Sequence, residues 1–161
     1  MVAKEEDAME RIEVACGGID EDGRFKTEFT GRGRDVSPEY TFSGLPDEAK
    51  SLAIVLRDIS HPLFGEMTHW IIWDLPVMET LSAGIARGAQ PGISDAVQGM
   101  AYGWHRYRGP KPPKGTSHRY EFTVYALDRQ LGLGPMTSYR KLKAELDGKV
   151  VGMGKVEGTF E

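Results

Sequence analysis

An aspartate and two histidines, Asp58, His69 and His118, stand at the ends of the three most apolar segments of the chain: Ser51–Asp58, His69–Leu75 and His118–Leu127. A carboxylate with two imidazoles can do three kinds of chemistry. It can hold an anion, with imidazole N–H donors on the ligand and the carboxylate fixing a tautomer or accepting a proton from a phosphate monoester. It can serve as an acid–base set. It can bind a metal as two histidines and one carboxylate. A single His or Asp at a strand end ordinarily caps or faces solvent, so the surroundings decide. From Ala96 to Tyr120 there are five Lys or Arg residues and no acid, with Tyr102, Trp104, Tyr107 and Tyr120 interleaved. That stretch raises the local positive potential in a chain of net charge −4 and favours the anion. Tyrosine hydroxyls and loop N–H groups would add donors. Catalysis is the alternative. No compact H-x-x-x-H motif is present, no Ser or Cys is placed as a nucleophile, and Cys16 is remote in sequence.

The elements must bring these groups together. Twenty glycines and nine prolines punctuate short apolar runs, the pattern of many strands joined by turns. Arg11–Cys16 reads as a first strand closed by Gly17-Gly18, and Arg24–Phe29 as a short second one. Gly31-Arg32-Gly33-Arg34 reads as a flexible basic turn. Ser37–Phe42 starts an edge strand, since Pro38 can begin such a strand but not sit inside it. Ser51–Asp58 is apolar enough to be covered on both faces. In His69–Leu75, period two puts His69, Ile71 and Trp73 on one face and Trp70, Ile72 and Asp74 on the other. Pro62 and Gly65 make the connection between these strands a loop. Thr80–Asp95 is irregular, and Tyr102–Ser117 is a long loop stiffened around Gly109–Gly115. In His118–Leu127, residues His118, Tyr120, Phe122 and Val124 share a face and Arg119 points away. One helix is expected, capped by Thr137 or Ser138, carrying Tyr139, Leu142 and Leu146 and ending at Gly148. Val150–Phe160 closes the chain as a glycine-rich strand. The sum is a mainly β protein, an antiparallel sandwich or Greek-key sheet.

At 161 residues the chain fits a single domain, 9–161, behind a solvated tail, 1–8. The acidic balance disfavours nucleic acid as a partner. No apolar run is long enough to span a membrane. A single cysteine excludes an intramolecular disulfide and suits a reducing cytoplasm.

Asp58-Ile59-Ser60-His61-Pro62, then His69-Trp70, then Gly109 through Pro112-Pro113-Lys114-Gly115-Thr116-Ser117-His118-Arg119-Tyr120 resemble the two signature regions of the phosphatidylethanolamine-binding protein family. More specifically, they resemble its bacterial and archaeal Raf-kinase-inhibitor-like branch. Val36-Ser37-Pro38, Gly44-Leu45-Pro46, the closing helix and Val156–Phe160 also fall where the family has counterparts. The resemblance implies two packed antiparallel sheets with a C-terminal helix and few short peripheral helices. It implies a pocket for phosphate, a phosphomonoester or a phospholipid head group, and the chain is read as a non-catalytic protein without cofactor or metal. That pocket would be formed by Asp58, His69, Trp70, Gly109, Pro112, His118 and Tyr120. Some members regulate kinases or signalling, and bacterial relatives often pair as homodimers. The first signature usually reads D-P-D-A-P. Here Ser60 replaces the second acid, which makes the mouth less negative, and His61 replaces the alanine, adding an expected donor at the rim.

Overall fold

The computed structural model describes residues 9–61 and 65–161. The strands are β1 (Glu10–Arg11), β2 (Glu13–Cys16), β3 (Tyr40–Ser43), β4 (Ser51–His61), β5 (Gly65–Leu75), β6 (Thr80–Leu81), β7 (Val97–Gln98), β8 (His118–Leu127) and β9 (Val150–Phe160), with one helix, α1 (Tyr139–Glu145), between β8 and β9. A six-stranded sheet has the order β1-β9-β8-β4-β5-β7, and a three-stranded sheet the order β2-β3-β6. All pairs are antiparallel except β1 with β9. The expected tail, 1–8, and Pro62 lie outside the described residues.

The central strands are apolar on both faces because both faces are covered. On one side Leu52, Ile54, Leu56, Trp70, Ile72, Phe122 and Val124 pack against Tyr40 and Phe42 of the small sheet. The Tyr40 ring stands edge-on to Phe122 at 5.2 Å. On the other side Ala53, Val55, Ile71 and Trp73 pack under Leu142 and Leu146. The helix starts where expected. The Ser138 hydroxyl accepts the Lys141 N–H, and Gly148 follows at φ 72°, the left-handed conformation that closes helices.

Four expectations about elements are corrected. Arg11–Cys16 is not one strand. Ile12 is 2% exposed, donates its N–H to Met153, and is the point where the chain passes from the large sheet to the small one. Gly154 permits this passage, since a Cβ there would stand 2.2 Å from the Ile12 carbonyl oxygen. Arg24–Phe29 is not a strand. It makes single bridges at Arg24 and Phe25 and then a 3-10 turn, Thr27–Phe29, because the Phe25 side chain enters the core. The third strand begins only at Tyr40 and is the centre of the small sheet, not its edge; Pro38 lies outside the ladder. Finally, the loop expected at Gly65 is strand, with Gly65 paired to His61.

Candidate functional site

β4 continues through Asp58, and β5 begins four residues before His69, so neither side chain stands at a strand end as expected. His118 does begin β8. Asp58 follows Leu52, Ile54 and Leu56 on the face turned toward the small sheet, directly opposite Tyr120 in the β4–β8 ladder. Two residues along, His118 takes the same face.

His69 reaches this face through an irregularity. Leu56 pairs with Trp70 and Arg57 with Thr68, leaving His69 with no opposite residue in the ladder. An extra residue in one strand is a bulge, which re-aims side chains. Strict alternation would have sent His69 to the helix side with Ile71 and Trp73. Instead its ring stands perpendicular to Tyr120 at 5.4 Å. A second register step sits at Asp74, which has φ 56°. Its carboxylate accepts the N–H groups of Leu131 (2.7 Å) and Gly132 (2.9 Å), so it does not share the inward face of Trp70 and Ile72.

Asp58, His69, His118 and Tyr120 thus converge on one small cavity of about 110 Å³, which Met67, Tyr102, Arg108, Lys111, Pro112 and Pro113 complete. His118 Nδ1 donates to Asp58 Oδ2 at 2.7 Å, and both side chains are buried. Asp58 Oδ1 accepts the Ser60 backbone N–H (2.9 Å) and the Ser60 hydroxyl (3.3 Å). That hydroxyl in turn accepts the Arg119 N–H at 2.7 Å. The serine that replaces the usual acid is therefore a bracket for the remaining one. His69 Nδ1 donates to the Arg108 carbonyl at 2.9 Å. Burial is the main force holding the His69 pKa below its ordinary value, helped by the Arg108 charge and opposed by the Arg108 and Gly109 carbonyls and by Asp58. Tyr120 is pushed up, first by burial and then by the Asp58 charge, so its phenol keeps its hydrogen.

Two expected site residues sit elsewhere. Trp70 is in the core, its Nε1 donating to Gln98 Oε1 at 2.7 Å and its ring edge-on to Tyr107. Gly109 does not line the cavity and acts behind it. Its N–H donates to Asp35 Oδ1 at 2.7 Å, and a Cβ there would lie 2.2 Å from the Phe29 carbonyl oxygen. The expected rim donor at His61 falls on a side chain outside the described set.

The residues not named from sequence are informative. Arg108 and Lys111 both line the cavity; the Arg108 charge acts on His69 and its guanidinium lies over the Tyr102 ring at 3.8 Å, while the side-chain carbons of Lys111 lie beside Gly31. Both belong to the acid-free stretch that signalled positive potential. Arg32 is different. Its Nη1 donates to the Glu161 carbonyl, its Nη2 to the Pro112 carbonyl, and it covers the Phe160 ring. The Gly31–Arg34 turn is therefore anchored, not flexible, and nothing in its own composition revealed so distant a role. Asp35, at φ 55°, holds Arg106 as well as Gly109. Among the described residues, no group of three or more His, Cys, Asp or Glu side chains is arranged to hold a metal ion.

Fold and site together define a two-sheet sandwich with a small cavity holding Asp58, His69 and His118 at one end of its larger sheet. The family model for phosphatidylethanolamine-binding protein matches residues 17–161, and the chain belongs to that family. A UPF0098 protein of Pyrococcus horikoshii is 36% identical over 83% of this chain and 69% of its own length. One from Methanothermobacter thermautotrophicus is 35% identical over 86% and 91%. Among solved structures, Escherichia coli YbcL, described as a member of the mammalian PEBP family, superposes with a TM-score of 0.82 at 25% identity, over 93% of this chain and 98% of that one. A phosphatidylethanolamine-binding protein homologue from Chlamydia trachomatis gives 0.79 at 28% identity, over 96% and 98%.

Proposed function

We propose that this chain is a non-catalytic binding protein whose cavity holds a small anionic group: phosphate, a phosphomonoester or a phospholipid head group. One observation carries the reading. The buried set Asp58, His69, His118 and Tyr120 shares one small cavity with Lys111 and with Arg108, whose charge reaches His69. Cations and hydroxyl donors beside buried imidazoles favour oxyanions, and charge-assisted hydrogen bonds are the stronger kind. A cavity of about 110 Å³ suits a head group and not a whole lipid or nucleotide. A role in signalling or kinase control would follow if the anion were a phosphorylated side chain of a partner. We place the protein in the cytoplasm, which the single cysteine suits.

The test is calorimetric titration with inorganic phosphate. Saturable binding is expected, weakened at least about tenfold by His69→Ala or His118→Ala. Unchanged affinity in both variants would sink the proposal. The Asp58–His118 hydrogen bond also favours a second reading, an acid–base enzyme with hydrolase-like chemistry. Turnover of a phosphate ester that disappears in Asp58→Asn would move the assignment there.

A further inference from the structure

The cavity walls dictate where its hydrogens sit. A carbonyl oxygen only accepts, so the Arg108 carbonyl 2.9 Å from His69 Nδ1 requires the ring hydrogen on Nδ1. The neutral ring then offers a lone pair at Nε2, the other nitrogen available to a ligand. His118 likewise directs its Nδ1–H at the protein, to Asp58. Around His69 stand Asp58 from β4, His118 and Tyr120 from β8, and Tyr102, Arg108 and Lys111 from the loop before β8. Asp58 favours an imidazolium there, while burial and the Arg108 charge oppose it, with burial the largest effect. The site thus combines donors at Arg108 and Tyr120 with an acceptor at His69.

We propose that this cavity selects oxyanions that still carry a hydrogen, phosphate and phosphomonoesters over sulfate and sulfate esters, through acceptance of the ligand O–H by His69 Nε2. The inference rests on the anion-binding reading of the same site. A protonated phosphate places its O–H on that nitrogen and its remaining oxygens on the donors. A fully deprotonated oxyanion sets an oxygen lone pair against the nitrogen lone pair, so a buried acceptor loses its partner and the ligand meets repulsion.

Methyl phosphate and methyl sulfate separate the two cases. Near pH 6, with a second pKa of about 6, roughly half of the methyl phosphate is a monoanion bearing one hydrogen. Methyl sulfate has the same single charge and nearly the same shape without it. Calorimetric titration of the wild-type protein should show methyl phosphate binding at least about tenfold tighter. Methyl sulfate binding equally well overturns the selectivity and leaves anion binding standing. Binding of neither overturns both readings. A second measurement needs no ligand: ¹⁵N NMR near neutral pH should show His69 with its hydrogen on Nδ1, and a hydrogen found on Nε2 overturns the inference directly.

Discussion

His69 couples the site to pH through a single buried ring. Its folded pKa is lowered, so the unfolded chain takes up a proton before the folded one does. The stability that neutral His69 contributes is complete above the ordinary histidine value of about 6.5 and declines as pH falls from there through the lowered folded pKa. His69→Gln carries no titrating ring. Thermal unfolding between neutral and mildly acidic pH should therefore show a smaller fall in Tm for that variant than for the wild type. Ser60 has a quieter role at the same scale. Its hydroxyl donates to Asp58 Oδ1 and accepts the Arg119 N–H. Ser60→Ala should cost about 1 kcal/mol in chemical denaturation. It should also weaken phosphate binding, because Asp58 Oδ1 and the Arg119 N–H lose the hydroxyl that joins them.

The loop before β8 is positioned from behind. Gly31 N–H donates to the Pro110 carbonyl at 2.9 Å, Tyr107 donates its hydroxyl to Phe29 at 2.6 Å, and Asp35 grips Gly109 and Arg106. The close approach at Gly109 leaves no room for a side chain. Gly109→Ala should push the 109–113 segment away from the 29–35 segment and lower phosphate affinity in calorimetry while the far-UV circular dichroism of the sheets stays unchanged. The contrast at β9 is instructive. Gly154→Ala meets the backbone carbonyl of Ile12 where the chain passes between the two sheets. There the expected effect is on stability, about 3 kcal/mol of overpacking seen as a lower denaturation midpoint.

Across the whole molecule, the six-stranded sheet is the shared wall of two cores, with the small sheet on one face and α1 on the other. Phe122 lies at the centre of the first, against Phe25 and Tyr40. Phe122→Ala should cost about 3–5 kcal/mol, measured by denaturant unfolding. The cavity opens at the end of the same face, two residues along β8 at Tyr120, so packing of the core and placement of the site are mechanically joined. The Phe25 ring touches both Phe122 and Tyr120.

Residue type and local pattern were enough for much of this. Five consecutive apolar residues in 52–56 announced a strand covered on both faces. Leucines at helical spacing between Ser138 and Gly148 announced the helix. Two motif regions announced the family and the set Asp58, His69, His118 and Tyr120. These are properties of a segment with itself, set by side-chain volume, polarity and backbone preference. Tertiary structure alone decided which way His69 faces, because a bulge exists only relative to a partner strand and β4 supplies that register. It also decided that Trp70 belongs to the core, that Gly109 supports the site from outside, and that Arg32 ties Pro112 to the chain's last residue. Each of these depends on contacts across dozens of residues, which composition and spacing do not encode one segment at a time.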